Sequence, residues 1–299
     1  MAKTKTKKPE YLAQITKQYG NIISTGLAVL EEKKNYKVIS VSPAIDIALG
    51  GGIREGCWLT LTGDPKSGKT TTAMQIAANC QKEGRPVIYL DVEGRLKDLN
   101  FEVHDLDPEK MKIIHPEDKP LSAEEFLDVA HKLMSHPDYI SSLMPAKELD
   151  GDMTPGRAGL PKVLSIFTKK MGQLLPRQRG LVIAITHYIA NTAGFGKAKM
   201  ADGGNKIQYQ ADTRMEIAGG GERVSAVTPW INASKERIGQ IVNWKIICSS
   251  MGAPGGQVQS WIRYGHGIDK AQELLMLAHD LGMIDKAGAW LTCEFILDH

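Results

Sequence analysis

Gly63-Asp64-Pro65-Lys66-Ser67-Gly68-Lys69-Thr70 is the most informative stretch of the chain, because it fits the pattern GxxxxGKT at every fixed position. The apolar run 58–62 before it predicts a buried strand. The segment Thr71–Glu83 after it carries apolar residues at helical spacing and stops at Gly84. A glycine-rich turn between a strand and a helix is typical of a loop that wraps around phosphate groups.

This loop predicts a nucleotide site that also holds Mg²⁺. The glycines let the backbone curl so that its N–H groups face inward, and the following helix adds the positive end of its dipole. Lys69 is expected to reach the β- and γ-phosphates, and the Thr70 hydroxyl is expected to hold the metal. The predicted nucleotide-binding residues of this stretch are Gly63, Asp64, Pro65, Lys66, Ser67, Gly68, Lys69, Thr70 and Thr71.

The elements around the loop indicate an α/β protein. The run Pro86–Val92 is a second apolar strand, and strand, loop, helix and strand within about 35 residues form a βαβ unit with a parallel sheet. Further helices are expected at 122–134 with a Ser122–Glu125 capping box, at 160–175 ending near Pro176, and at 271–282. Strand-like pieces are expected within 38–62 and at Leu181–Thr186, Tyr209–Ala218, Trp244–Cys248 and Val258–Tyr264, with a long loop over Tyr188–Lys206.

A carboxylate follows the second predicted strand, in the sequence Leu90-Asp91-Val92-Glu93-Gly94. Side chains at the carboxyl edge of a parallel sheet face the ligand crevice. Glu93 is therefore a candidate general base that orients and deprotonates the water attacking the γ-phosphate. The alternative reading of Glu93 is a loop carboxylate exposed to water.

Composition excludes several classes of protein. The 299 residues include 37 Lys plus Arg and 34 Asp plus Glu, for a net charge of +3, with 42% apolar residues. These values are those of a globular protein and exclude a disordered or collagen-like chain. No apolar run approaches the ~20 residues of a membrane helix, and the basic start MAKTKTKKPE lacks the apolar stretch of a secretory signal. The four cysteines form no CxxC pair and predict a reducing, cytoplasmic location.

Segments outside the phosphate loop carry a more specific pattern. They are residues 12–20, 42–50, Asp91–Glu93, 148–153 with Gly159-Leu160, Gly203-Gly204-Asn205 with Ile207, Tyr209, Ala211 and Arg214, Tyr264–Asp269, and 286–290. Together they resemble the bacterial RecA recombinase family, including its phage relatives. The resemblance implies a RecA-like P-loop core, with a mostly parallel central sheet flanked by helices. It divides the chain into an N-terminal basic arm and polymerisation helix (1–36), an ATPase core with DNA-binding loops (37–269) and a truncated C-terminal region (270–299).

The resemblance also implies an activity and its partners. It implies an ATP- and Mg²⁺-dependent helical filament on single-stranded DNA that pairs with homologous duplex DNA, with accessory mediators possible as further partners. The location would be the cytoplasm of a bacterial or phage-infected cell, without a membrane, and the compact form resembles a phage-encoded version. Catalysis would use Glu93 and Lys69. The implied DNA-binding residues, in loops 149–160 and 188–206, are Arg157, Gly159, Phe195, Lys197, Lys199, Gly203, Gly204, Asn205 and Lys206.

Two of these side chains have alternative readings. Phe195 fits a wedge or stacking group between bases, or else an anchor that packs within its own loop. His187 occupies the position where the family couples the γ-phosphate to the second DNA loop. Without that family context, a single histidine is more often a structural residue.

The sequence departs from the family pattern at three places. First, the family has an apolar strand that ends in a metal-binding Asp, and this pattern is absent before 148–153. Two interpretations stay open: 139–143 is a shortened strand with Ser141 or Ser142 near the metal, or the chain lacks a segment. The segment 247–251, where the family carries cations that reach ATP across the interface, has only Lys245 nearby. The adenine-stacking aromatic corresponds roughly to Asn100, which leaves its neighbour Phe101 as the candidate.

Three functions remain open at this point. The leading one is a DNA-dependent ATPase that pairs homologous strands. The second is a ring-forming motor of the same fold, such as a helicase, against which the N-terminal helix and the two-loop pattern argue. The third is an ATP-binding filament or regulatory protein with weak hydrolysis, which the departures in the catalytic region favour.

Overall fold

The structure is a computed structural model that describes residues 10–20, 22–91, 101–115, 121–136, 143–147, 160–190, 199–201, 204–217, 225–288 and 290–293. The chain divides into two compact units, 1–37 and 38–299.

The first unit contains two short helices, α1 (Glu10–Tyr19) and α2 (Gly26–Lys34). Helix α1 lies within 1–36, where the resemblance implies a helix, and Gly20 follows it at φ 79°. The hydroxyl of Thr25 caps α2 by accepting a hydrogen bond from the Ala28 N–H at 3.2 Å. No residue of α2 is buried, and Leu27 is 67% exposed. Helices this short are marginal alone, because packing supplies most of the stability of a helix.

The second unit contains the remaining elements. Its helices are α3 (Pro43–Leu49), α4 (Lys69–Lys82), α5 (Ala123–Ser135), α6 (Leu160–Gln178), α7 (Gly204–Gln210) and α8 (Lys270–Asp280). Its strands are β1 (Val38–Ile39), β2 (Ile53–Arg54), β3 (Cys57–Thr62), β4 (Val87–Leu90), β5 (Met111–Ile114), β6 (Leu143–Lys147), β7 (Leu181–Thr186), β8 (Tyr188–Ala190), β9 (Lys199–Ala201), β10 (Thr213–Ile217), β11 (Val227–Ile231), β12 (Arg237–Cys248), β13 (Gln257–Arg263), β14 (Gly267–Ile268), β15 (Asp285–Ala287) and β16 (Trp290–Thr292).

Ten of the described strands form one central sheet, in the order β14-β13-β12-β10-β3-β7-β6-β4-β5, with β11 paired to β12. The strands from β10 to β5 are parallel, whereas β10, β12, β13 and β14 are joined antiparallel. The predicted α/β architecture, a RecA-like P-loop core with a mostly parallel sheet flanked by helices, is confirmed.

Strand β3 lies in the middle of the sheet and is buried on both faces. Leu59 and Leu61 belong to the core cluster that contains residues of α4, whereas Trp58 belongs to a second cluster with residues of α5 and α6. The ring of Trp58 meets that of Phe167 edge-on, with centroids 5.9 Å apart. Helices on both faces therefore fix the strand that leads into the phosphate loop.

A strand of the central sheet lies next to the departure before residues 148–153. Strand β6 lies between β4 and β7, with Leu143 opposite both Val87 and Leu181. The segment Leu143–Lys147 therefore occupies a central position of the parallel sheet. The sequence predicted a shortened strand at 139–143 as one alternative. Leu143 is the residue of that segment that belongs to β6, and Ser141 and Ser142 lie outside the described residues.

Most predicted elements are confirmed with small shifts of their ends. The Ser122–Glu125 capping box of α5 is present, since the Ser122 hydroxyl accepts from the Glu125 N–H at 3.2 Å and the Glu125 carboxylate accepts from the Ser122 N–H at 2.8 Å. Helix α6 continues through Pro176 to Gln178, beyond its predicted end. A proline in the last turn removes only one backbone donor, so the helix tolerates it.

The prediction of strand-like pieces throughout 38–62 is wrong at Pro43–Leu49, which forms helix α3. Pro43 lies in the first helical turn, where its missing N–H has no intrahelical partner to lose. Gly50 ends the helix in the left-handed conformation, at φ 85°. These end signals outweigh the apolar composition that suggested a strand.

The region of the second predicted DNA loop contains more regular structure than expected. Strands β8 and β9 pair antiparallel, so the prediction of one long loop over 188–206 is wrong at both strands. Tyr209 belongs to helix α7, and the strand predicted from there begins only at Thr213. Asp212 marks the change: its carboxylate accepts from the Trp58 N–H at 2.8 Å, and its own N–H donates to the Trp58 carbonyl at 2.9 Å.

Candidate nucleotide-binding site

The predicted phosphate loop leaves the sheet at the carboxyl end of β3 and leads directly into helix α4. The neighbouring strand β7 holds the start of the loop. The Gly63 N–H donates to the Thr186 carbonyl at 3.4 Å, and the hydroxyl oxygens of Thr62 and Thr186 are 2.8 Å apart. The loop therefore opens at the edge where ligands of parallel α/β sheets bind.

The backbone of the loop is tightly curled. Lys66 has φ 60° and Gly68, the residue before α4, has φ 105°. A Cβ atom on Gly68 would lie 2.5 Å from Cδ1 of Ile262. The hydroxyl of Ser67 donates to the Asp64 carbonyl at 2.7 Å and closes the turn from inside. This curled loop at a helix N-terminus is the arrangement that binds phosphate.

Lys69 lies inside this curl, with only 4% of its surface exposed. Its Nζ is 2.8 Å from the Gly63 carbonyl, 2.8 Å from the Asp64 carbonyl and 3.1 Å from Nδ1 of His187. A lysine ammonium is only a donor, so Nδ1 is the acceptor in the last contact. His187 is therefore neutral here, with its proton on Nε2. The geometry joins two predicted nucleotide-binding residues that are far apart in sequence.

The fit of Mg²⁺ can be judged from the hydroxyl groups at the start of α4. Thr70 and Thr71 are both half-buried, beside Lys69. Neither hydroxyl has a hydrogen-bond partner among the described residues. Mg²⁺ prefers oxygen ligands and keeps several waters, so one hydroxyl beside bound phosphates is a suitable protein ligand. The residues present therefore fit the metal, and Thr70 is the residue that would hold it.

A half-buried polar group next to the site was not predicted from the sequence. The Tyr188 hydroxyl donates to Glu216 at 3.3 Å, and the other carboxylate oxygen of Glu216 accepts from Arg214 at 3.3 Å. Burial, together with the nearby Glu216 and Asp64 carboxylates, raises the pKa of Tyr188 well above its usual range. Tyr188 is therefore a neutral donor, and Lys245 lies opposite Glu216 across the β10–β12 pair.

A polar cavity of about 530 Å³ opens beside helix α4. Its lining includes Gln75, His104, Arg263, Gly265, His266 and Lys270. Burial lowers the pKa of His104 below its usual value. Nε and Nη2 of Arg263 each lie 2.9 Å from Oδ2 of Asp269. The predicted candidate Phe101 does not line this cavity and packs, half-buried, against the main core.

The structure describes only some of the other predicted site residues. Glu93, Arg157, Gly159, Phe195, Lys197 and Gly203 lie outside the described residues. Lys199 is in strand β9, and Gly204, Asn205 and Lys206 begin helix α7, where only the backbone is described. Among the helices of the described ranges, none is both long and apolar enough to cross a membrane.

The sheet order and the phosphate loop define an α/β protein of the P-loop class. A model of the RecA N-terminal domain family matches residues 8–269, so the chain belongs to the RecA family. Protein RecA of Acidiphilium cryptum is 29% identical over 294 residues, covering 95% of this chain and 82% of that protein. Protein RecA of Streptococcus pneumoniae strain Hungary19A-6 is 28% identical over 316 residues, covering 96% of this chain and 79% of that protein. The predicted family is confirmed, and the phage-like origin stays a prediction.

Proposed function

We propose that this protein is an ATP- and Mg²⁺-dependent DNA recombinase that assembles as a helical filament on single-stranded DNA. The observation that carries the proposal is the buried ammonium of Lys69, held inside a curled loop at the carboxyl end of β3. Membership of the RecA family, over residues 8–269, supports the same activity. The partners would be single-stranded DNA, homologous duplex DNA and further copies of the chain, with accessory mediators possible, in the cytoplasm.

In this proposal the phosphate loop binds and orients the nucleotide. Backbone N–H groups of the loop and the N-terminus of α4 bind the phosphates, and Lys69 exchanges its loop carbonyls for phosphate oxygens. Thr70 would hold Mg²⁺ in part, and the metal would supply positive charge next to the transferring phosphoryl group. Glu93 is the proposed base for the attacking water.

The cavity beside α4 suits the base and sugar of the nucleotide. Helix α4 connects the two sites, because Lys69 at its start belongs to the phosphate loop and Gln75 lines the cavity. Six residues of helix span about 9 Å, a distance that one nucleotide can bridge. Strand β13 connects them as well, since Ile262 borders Gly68 and Arg263 lines the cavity.

DNA binding is proposed for the two loops, 149–160 and 188–206. Their basic residues, Arg157, Lys197, Lys199 and Lys206, are opposed by Asp150, Asp152 and Asp202. One subunit therefore offers only a weak positive site, and repetition of the site along a filament would supply the affinity.

The ATPase rate with and without single-stranded DNA tests this function. We expect DNA to raise the rate of the wild-type protein. Lys69→Ala should lower the rate at least about a hundredfold, since it removes a cation that stabilises the transferring phosphoryl group. The variant should also lose nucleotide-dependent assembly on DNA, and unchanged assembly of the variant with ATP would contradict the proposal.

Weak hydrolysis is the second candidate function, and strand β6 favours it. The family pattern places an aspartate at the end of this strand, whereas the described strand ends at Lys147. An ATPase rate that DNA does not stimulate, together with normal filament formation, would identify this alternative. Closed hexameric rings on single-stranded DNA, seen by electron microscopy, would instead identify the ring motor.

A further inference from the structure

The contact between Lys69 and His187 has a consequence for how nucleotide binds. Lys69 directs its ammonium to Gly63 O, Asp64 O and His187 Nδ1, each of which is an acceptor for an N–H donor. In this state His187 must be neutral, because a proton on Nδ1 would point at the Lys69 ammonium. The contact with Lys69 therefore disfavours the protonated form of this histidine.

A bound nucleotide reverses this preference. Lys69 must turn from the loop carbonyls and from Nδ1 toward the phosphates, and a polyanion then replaces the ammonium as the neighbour of the ring. An anionic oxygen favours an N–H at Nδ1, and a nearby negative charge favours the imidazolium. We propose that nucleotide binding at this loop is coupled to the uptake of one proton by His187, so that affinity rises as the pH falls. The inference rests on the proposed nucleotide-binding function.

The titratable groups near His187 that the structure describes do not account for this proton. The next residue, Tyr188, keeps its phenol protonated, because burial and the nearby carboxylates raise its pKa. Glu216, on β10, is already paired with Arg214 and accepts from Tyr188. Among the described residues of the phosphate loop and α4, the charged groups close to this region include Asp64 and Lys69. His187 is the group among these whose ordinary pKa, about 6.5, lies near neutrality.

The coupling also has a definite sign and size. A group that takes up a full proton on binding raises the association constant at most about tenfold for each unit of pH lowered. Partial uptake gives less, so we expect the affinity ratio of wild type to a His187→Gln variant to rise about three- to tenfold between pH 8 and pH 6. Glutamine keeps a hydrogen-bonding side chain at this position but cannot titrate. Comparing the two proteins also removes the titration of the nucleotide itself.

Isothermal titration calorimetry with ADP and Mg²⁺, in buffers of different protonation enthalpy, measures the proton count. At pH 7 the wild-type protein should take up roughly half a proton more per bound nucleotide than His187→Gln. The control His279→Gln removes a histidine of α8 that contacts Asp280, and it should behave as wild type. If His187→Gln does not fold, His187→Asn replaces it as the variant that cannot titrate. As a separate measurement, ¹⁵N NMR of the His187 ring reports the protonation state of the ring directly.

Equal proton uptake by wild type and the His187 variants would overturn the coupling, as would a ring that stays neutral in the complex at pH 6. Such a result would show that a neutral tautomer, with its proton moved to Nδ1, serves the bound nucleotide. The proposed nucleotide-binding function would survive, because binding itself would still be measured. Absence of ADP binding by the wild-type protein would overturn both the function and the coupling.

Discussion

Gly68 closes the phosphate loop in a backbone conformation that few other residues adopt. Its φ is 105°, and a Cβ atom there would lie 2.5 Å from Cδ1 of Ile262 and 3.4 Å from Nε2 of Gln240. The Ile262 methyl group is the end of a flexible side chain and can move, but the backbone strain would remain. The side-chain nitrogen of Gln240 is itself 3.5 Å from the Lys66 carbonyl. A Cβ atom on Gly68 that displaces Gln240 would therefore also disturb the contact of Gln240 with the phosphate loop.

Gly68→Ala should therefore weaken nucleotide binding at least about tenfold and lower the free energy of unfolding by about 1–3 kcal/mol. Gly84→Ala is the matched control, because Gly84 also has positive φ, 77°, but no atom lies within 4 Å of its Cβ position. The control should lose about 1 kcal/mol of stability and keep its affinity. Titration with a fluorescent ADP analogue and urea unfolding measure both quantities. Equal affinities of the two variants would contradict the role of Gly68.

The residues of the phosphate loop were predictable from sequence, because their spacing along the chain carries the chemistry. The partner of Lys69 was predictable only by resemblance, since His187 is distant in the chain and meets Lys69 through the pairing of β3 with β7. Glu216 was not predicted at all. A carboxylate in an alternating strand looks solvent-exposed in sequence, and only the contact with Tyr188 shows that it belongs to the site.

At the scale of elements, helix α8 is joined to the core by a buried carboxylate. Glu273 is fully buried and accepts hydrogen bonds from the Ala44 N–H of α3 at 3.1 Å and from the Ser260 hydroxyl of β13 at 2.5 Å. Burial raises the pKa of Glu273 above its ordinary value of 4.5, although both hydrogen bonds act in the opposite direction. The folded protein therefore holds this proton more tightly than the unfolded chain.

This shift predicts how stability depends on pH. Below about pH 4.5 Glu273 is protonated in both the folded and the unfolded protein, so it does not lower the free energy of unfolding. Above this pH, Glu273 ionises first in the unfolded chain, and this favours unfolding. Wild type should therefore lose stability relative to Glu273→Gln as the pH rises from 4.5 toward the raised pKa. Urea unfolding of both proteins at several pH values gives this difference. A difference that stays constant with pH would show that the carboxyl is not perturbed.

Strand β6 carries a proline at a central position of the sheet. Pro145 pairs in register with Ile183 of β7, between neighbours on both sides. Proline lacks the N–H that a ladder needs, so Pro145→Val should stabilise the protein by roughly 1 kcal/mol. Pro229→Val, in strand β11 that pairs only with β12 among the described strands, should change stability less. Urea unfolding tests this, and no gain at Pro145 would argue against a central strand at 143–147.

Elements with strong local signals were predictable, such as α5 with its Ser122–Glu125 capping box. Elements defined by distant partners were not. β6 is short and interrupted by Pro145, and it is recognised as a strand only by its pairing with β4 and β7. Likewise, Asp212 ends the region of α7 and starts β10 through hydrogen bonds to Trp58, a residue far away in sequence.

At the scale of the whole molecule, the apolar core belongs to the second unit. Both clusters of buried apolar residues begin at or after Ile39, and α2 contributes no buried residue. The unit 38–299 should therefore fold without residues 1–37. The exposed apolar side chains of the first unit, including Tyr11, Ile22, Leu27 and Leu30, instead suit contacts between subunits.

Deletion of residues 1–37 should accordingly separate assembly from nucleotide binding. We expect the deletion protein to bind ADP within about threefold of wild type, because the phosphate loop and its neighbours all lie in the second unit. Its nucleotide-dependent assembly on single-stranded DNA should be lost, since a filament needs a head-to-tail contact, between two different surfaces of the subunit, that repeats along the helix. Light scattering and electron microscopy measure assembly, and calorimetry measures binding. Loss of both would mean that the segment is required for folding, and retention of both would place the subunit contact elsewhere in the chain.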